Sequence, residues 1–182
     1  AFAGGLLLVV VFLIFVAQRL KITRAQKSII EEQKKEVESA HTILEEKNTE
    51  ILDSITYAKR IQSAILPPDE LMQTHLPNSF VLYRPKDIVA GDFYWMEPSN
   101  ENILFAAADC TGHGVPGAMV SVVCNNALNR SVREYGLKDP GKILDKTREI
   151  VIQEFGKSTK DVKDGMDIAL CALSRTSSGA EK

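Results

Sequence analysis

The chain opens on residues 1–17, AFAGGLLLVVVFLIFVA, a run without a single charge. As a helix rising about 1.5 Å per residue it spans about 25 Å, slightly short of a hydrocarbon core. Arg19, Lys21, Arg24 and Lys27 follow at once, and positive charge beside a span marks its cytoplasmic side. A signal-peptide core would be followed by a small-residue cleavage site and a mature domain. Here a charged helical pattern follows instead. The run therefore predicts a transmembrane helix. Because the first residue is Ala1 rather than Met, the natural start of that helix is expected upstream. The resulting expectation is a chain on the inner (cytoplasmic) membrane, with its globular part in the cytoplasm.

Residues 18–66 contain neither Gly nor Pro, and Ile30, Val37, Leu44, Ile51, Ala58 and Ile65 recur every seventh position. Apolar residues at that spacing form the seam of a coiled coil. If these are a positions, Ala40 and Ile61 fall at d, but so do Gln33, Lys47 and Ser54. The seam is imperfect, as suits a signalling helix rather than a static rod, and it predicts a parallel homodimer. The apolar face widens through Leu52, Ile55, Ala58, Ile61, Gln62 and Ile65, so the last turns are expected to pack on more than one partner helix. Pro67 and Pro68 should end the helix sharply. The domain plan is thus 1–17 transmembrane helix, 18–66 coiled-coil helix and 67–182 globular domain.

In the globular part, FVLYR (80–84), IVAGDFYWM (88–96) and NILFAAA (102–108) read as strands. A glycine-rich turn, CTGHGVPG, comes next, and then a helix over about 117–135 ending at Gly136. Asp139 can cap a further helix, with Pro140 at its first position and Gly156 after its end. MDIALCAL (166–173) reads as a last strand. Strands, then helices, then a strand again indicate α+β layering with an antiparallel sheet.

The chain has 182 residues, 45% hydrophobic and 25% charged, with a formal net charge of -2. That balance gives no reason to expect nucleic acid as a partner. Cys110, Cys124 and Cys171 show no CxxC spacing and read as free thiols of a reducing compartment. His41, His75 and His113 lie too far apart to form a metal motif.

Two carboxylates stand out. Asp92 sits in VAGDFYW, and Asp109 ends an apolar strand just before CTGHG. A carboxylate beside a turn of exposed carbonyls suits a hard cation such as magnesium or manganese. Two such ions can activate a water and bind a phosphoryl group. Taken singly, Asp109 reads first as a turn or capping aspartate, and Asp92 equally as a solvent-facing strand residue.

The runs VAGDFYW and AADCTGHGVPGAMVS, with YAKRIQSAILPP before them, resemble the bacterial protein phosphatase 2C-like family named for stage II sporulation protein E. The resemblance covers roughly residues 53–173. It implies an antiparallel β-sandwich flanked by helices that removes phosphate from serine or threonine of a partner protein, using two manganese or magnesium ions. The substrate it suggests is a phosphorylated regulator such as an anti-sigma-factor antagonist. It makes Asp92 and Asp109 metal ligands and catalytic residues, with the Cys110 backbone carbonyl as a further ligand. Gly112, His113 and Gly114 match the glycine-histidine-glycine turn, where a turn-stabilising role serves His113 as well as a chemical one. Lys86, Asp87 and the Trp95 region match the family's leading strand, without an assigned role. Asp164 and Asp167, in DGMDIALCAL, lie where the family often carries an acidic residue, and a turn or strand-end role is equally open to them.

Beyond Leu173 the chain reads SRTSSGAEK, where the family has later strands and an acidic metal-binding motif. The expectation is an incomplete domain with little activity on its own. A catalytically inactive module signalling through the coiled coil is the alternative. A histidine kinase is disfavoured because His41, in ESAHTILEEK, lacks a phosphoacceptor context.

Overall fold

The computed structural model describes residues 2–99, 102–157 and 164–174. The chain divides into two compact units, Ala1–Leu52 and Asp53–Lys182. Helix α1 (Phe2–Ile65) supplies all of the described part of the first unit. The heptad residues Ile30, Val37, Leu44 and Ile51 are all exposed on it. Lys27–Glu31 and Lys34–Glu38 form i,i+4 pairs at 3.9 and 3.6 Å. On so open a surface each contributes only a few tenths of a kcal/mol, about 0.3–0.5.

The expected membrane span is corrected: among the described residues no helix is long and apolar enough to cross a membrane. The reason is length. The uncharged part of α1 closes at Ala17, and residues 2–17 rise about 24 Å against a core of about 30 Å. From Arg19 the same helix is charged at close intervals, through Lys21, Arg24, Lys27, Glu31 and Glu32. The placement on the inner membrane falls with the span.

The second unit begins with the last turns of α1 and the short helix α2 (Asp69–His75), which Pro68 precedes. Strands β1 (Phe93–Pro98) and β2 (Asn102–Cys110) follow. Then come helices α3 (Gly114–Arg133) and α4 (Pro140–Gly156), and strand β3 (Met166–Ser174). The Asp139 side chain accepts from the Lys142 amide at 3.0 Å, forming the expected cap. α3 starts three residues earlier than the apolar spacing suggests, because Pro116 fits a first helical turn.

The strands form one antiparallel sheet in the order β1-β2-β3. Phe93 pairs with Ala108, Asp109 with Asp167, and Cys110 with Met166. Side chains alternate across a sheet, so Phe93, Trp95, Leu104, Ala106, Ala108 and Cys110 turn to one face. There they pack on α3 and α4 around Cys124, Leu128, Ile143 and Ile150. Leu128 and Ile143 are fully enclosed, and truncating either to Ala costs about 2–5 kcal/mol. Ser131 and Thr147 join α3 to α4 by a buried hydroxyl pair at 2.9 Å.

The expected β-sandwich is also corrected. Among the described residues there is a single three-stranded sheet, with both long helices on one face and no second sheet. One predicted strand and the first half of another make no ladder among the described residues. Residues 80–84 pair with no described strand and instead lay Tyr83 edge-on against Tyr94, with ring centroids 5.6 Å apart. Residues 88–92 are not strand because the Gln62 side chain takes both the amide and the carbonyl of Ala90. A ladder would need those same groups.

Candidate functional site

β2 ends at Cys110 and the chain turns at once through Thr111, Gly112 and His113 into α3. Gly112 has φ +88°, a conformation that side chains with a Cβ rarely adopt. Three segments meet at this turn. A Cβ on Gly91 would lie 2.6 Å from the Gly112 oxygen and 3.0 Å from the Cys110 oxygen. A Cβ on Gly117 would lie 2.5 Å from the Gly112 oxygen and 3.1 Å from the Gly91 Cα. Glycine at both positions therefore lets the VAGD loop, the turn and the first turn of α3 close on one another.

This packing brings Asp92 beside Asp109. The β1–β2 register, extended one residue beyond Phe93 and Ala108, sets the two opposite each other on the face away from the helices. Burial, hydrogen bonding with Asp109 and the Asp109 charge together push the Asp92 carboxyl up. Two carboxylates this close repel when both are ionised. The Tyr83 hydroxyl donates to the Asp92 main-chain oxygen at 3.0 Å. Burial, with Asp92 and Tyr94 nearby, raises that phenol in turn.

Asp167 pairs with Asp109 from β3, so Asp92, Asp109 and Asp167 form a row across the strand ends. The row does not converge. Neighbouring strands lie about 4.8 Å apart, so the outer two aspartates start about 10 Å from each other. Among the described residues no group of three or more His, Cys, Asp or Glu is placed to hold a metal ion. The Asp92–Asp109 pair does suit one hard cation, whose charge would relieve the repulsion.

Asp164 lies with Asp109, Thr111 and Asp167 around a polar hollow of about 400 Å³. Gly165 holds this segment to the turn: the Thr111 amide donates to the Gly165 oxygen at 2.9 Å, and the Gly165 amide to Thr111 Oγ1 at 3.2 Å. On the open face of the sheet a mainly apolar groove of about 1160 Å³ runs past Tyr83, Tyr94 and Phe105 to the aspartates.

Cys110 is a buried free thiol. Hydrogen bonding with the Cys124 thiol and burial push the Cys110 thiol up, which leaves its main-chain carbonyl, close to Gly91, as the group it offers the site. His113 is exposed, and its Nδ1 lies 2.9 Å from Asp87 Oδ2. Gly114, at φ +61°, sits against the same carboxylate. Sequence reasoning left Asp87 without a role and missed Thr111, Ser121 and Asn125. Gln62 carried a signal, a polar residue inside the apolar stripe that ends α1.

No protein-family model matches the chain, and no curated protein matches it. Solved structures do. One, the SiaA-PP2C domain of Pseudomonas aeruginosa, is 34% identical with a TM-score of 0.61, over 68% of this chain and 48% of that one. The chain thus spans about half the length of that structure. The fold of the chain is PP2C-like, the class of sheet-and-helix domain found in type 2C phosphatases.

Proposed function

We propose that the chain carries part of a metal-dependent serine/threonine phosphatase that acts in signalling. The observation behind it is the Asp92–Asp109 pair, set beside a glycine turn on a PP2C-like sheet. Its substrate would be a phosphoserine or phosphothreonine protein, a regulatory partner such as an anti-sigma-factor antagonist. Asp92 and Asp109 would hold manganese or magnesium, with the Cys110 carbonyl as a further oxygen ligand. Such an ion supplies a nucleophilic water near neutral pH and neutralises charge on phosphoryl oxygens. Asp92 and Asp109 orient that centre, and the glycine contacts keep side chains out of it. Asp164 and Asp167 border a polar hollow with Asp109, and a turn or strand-end role is as open to them as one near the ion. The exposed heptad stripe of α1 supports a parallel homodimer as the working form.

The test is phosphate release from phosphoserine and phosphothreonine peptides with manganese or magnesium, against the same reaction with chelator. Mn2+ binding by the chain is followed in parallel from the free-ion electron paramagnetic resonance signal. Metal-dependent release and binding that both require Asp109 support the reading. Absence of Mn2+ binding would favour the inactive-module alternative.

A further inference from the structure

Gln62 is a polar side chain, only 5% exposed, on the last full turn of α1. Its Nε2 donates to the Ala90 carbonyl at 2.5 Å and to Ser121 Oγ at 3.0 Å, and its Oε1 accepts from the Ala90 amide at 3.0 Å. The amide therefore grips both main-chain groups of one residue, as a neighbouring strand would, and adds a bond to α3. Ser121 Oγ is in turn anchored on the Ala118 carbonyl at 2.8 Å.

Ala90 stands two residues before Asp92. Between them, Gly91 is wedged against the Cys110 and Gly112 carbonyls and the backbone of Gly117. On the far side the Asp92 carbonyl is held by Tyr83. The main chain leading into Asp92 is thus fixed from three directions, and one of the three is a side chain of α1. A second bond ties the same turn to α3, from Asn125 Nδ2 to the Ile65 carbonyl at 3.3 Å. Asn129 bonds Asn125 at 2.9 Å and receives Trp95 Nε1 at 2.8 Å, which carries the tie into β1.

We propose that Gln62 is a positioning residue, through which the last turns of α1 set the main chain of Ala90–Asp92 and so hold the Asp92 carboxylate against Asp109. A shift or rotation of these turns pulls on Ala90 directly, because both of its main-chain groups move with Gln62. An apolar residue at position 62 would bury the same area but leave the Ala90 amide and carbonyl unpaired. A buried orphan of that kind is costly, so the loop would move to find partners. The proposal rests on the metal-site reading for its functional consequence, but not for the contact itself.

The test uses the whole chain and Gln62→Met, which keeps side-chain length and removes all three bonds. Hydrogen exchange is followed by mass spectrometry in peptides covering residues 88–96 and, as an internal reference, α4. We expect exchange at 88–93 to rise about tenfold while α4 is unchanged, and Mn2+ affinity to fall about tenfold. Gln62→Glu keeps an acceptor for the Ala90 amide but sets a second oxygen against the Ala90 carbonyl, so exchange at 88–93 should rise here as well; it also serves if the Met variant does not fold. Ser121→Ala leaves both bonds to Ala90 and should leave exchange at 88–93 close to wild type. Unchanged exchange at 88–93 in both Gln62 variants overturns the proposal, and so does a rise shared equally by α4. If exchange responds as expected but the wild-type chain binds no Mn2+, the clamp stands and the metal reading fails.

Discussion

His113 Nδ1 lies 2.9 Å from Asp87 Oδ2, joining the glycine turn to the segment that leads into β1. The two residues are 26 positions apart, so the pair closes a loop around the candidate site. Its side chains are 71% and 41% exposed, and water competes for both. A hydrogen bond or, with the imidazole protonated, an ion pair in that setting contributes about 0.2–1 kcal/mol. We expect His113→Ala and Asp87→Ala each to change unfolding free energy by no more than about 1 kcal/mol. A double-mutant cycle in urea measures the coupling. A coupling of several kcal/mol would mean that the pair is far better shielded than its exposure indicates.

Asp109→Asn removes one charge and almost no volume. Because Asp92 and Asp109 crowd each other, the substitution should leave the metal-free fold as stable as before, or more stable by up to about 1 kcal/mol, the usual trade between a functional site and stability. Mn2+ binding should weaken sharply. Metal-dependent phosphate release should fall on the order of 100-fold, as when one charge-stabilising group is taken from an active site. Thermal melting with chelator, set beside Mn2+ titration, reads both effects. A variant that loses stability and still binds Mn2+ normally would make Asp109 a structural residue.

The same reasoning separates two glycines. At Gly117 an added methyl would meet the Gly112 oxygen at 2.5 Å and the Gly112 carbon at 2.8 Å, both main-chain atoms that cannot step aside. Gly117→Ala should cost about 1–3 kcal/mol through overpacking, despite the better helix propensity of alanine. At Gly156, the last residue of α4, there is open space around the same methyl and φ is not positive. Gly156→Ala should stabilise by about 0.4–1 kcal/mol. Urea midpoints of the two variants should therefore move in opposite directions.

Much of this architecture is written in local pattern. Pro67 and Pro68 after an unbroken helical stretch mark the end of α1 at Ile65, and Asp139–Pro140 marks the start of α4. Alternation in NILFAAADC gives β2 and the face of each of its residues. The motif residues Asp92 and Asp109 also come together, since a hairpin register needs only one offset to bring them opposite. What the sequence hid was decided by partners far along the chain. FVLYR has strand composition, but no edge among the described residues pairs with it. VAG at 89–91 reads as strand, yet the Ala90 amide and carbonyl pair with Gln62, 28 residues earlier. Asp87, Thr111 and Ser121 are common polar residues whose roles appear only once α3, β3 and the glycine turn are assembled. The opening run of α1 is uncharged, yet among the described residues no helix is long and apolar enough to cross a membrane.

The heptad of α1 makes the last prediction. Ile30, Val37, Leu44 and Ile51 are between 57% and 68% exposed on the single chain, and they lie in one stripe at seven-residue spacing. A long amphipathic helix that leaves such a stripe in water forgoes the burial that usually stabilises helices. Pairing two copies in parallel would cover each residue with its equivalent, as a positions do in a two-stranded coil. The register is not ideal, since Gln33, Lys47 and Ser54 occupy d positions, so a modest affinity is expected rather than a permanent dimer. Leu44→Asp places a carboxylate at the middle of the seam, where each copy would face the other's charge without a partner. Sedimentation equilibrium over a concentration series should show the wild-type chain passing from monomer to dimer and the variant remaining monomeric. Helix content by circular dichroism should rise with concentration only in the wild type. If the wild-type chain stays monomeric throughout the series, the heptad spacing serves some other contact and the dimer is ruled out.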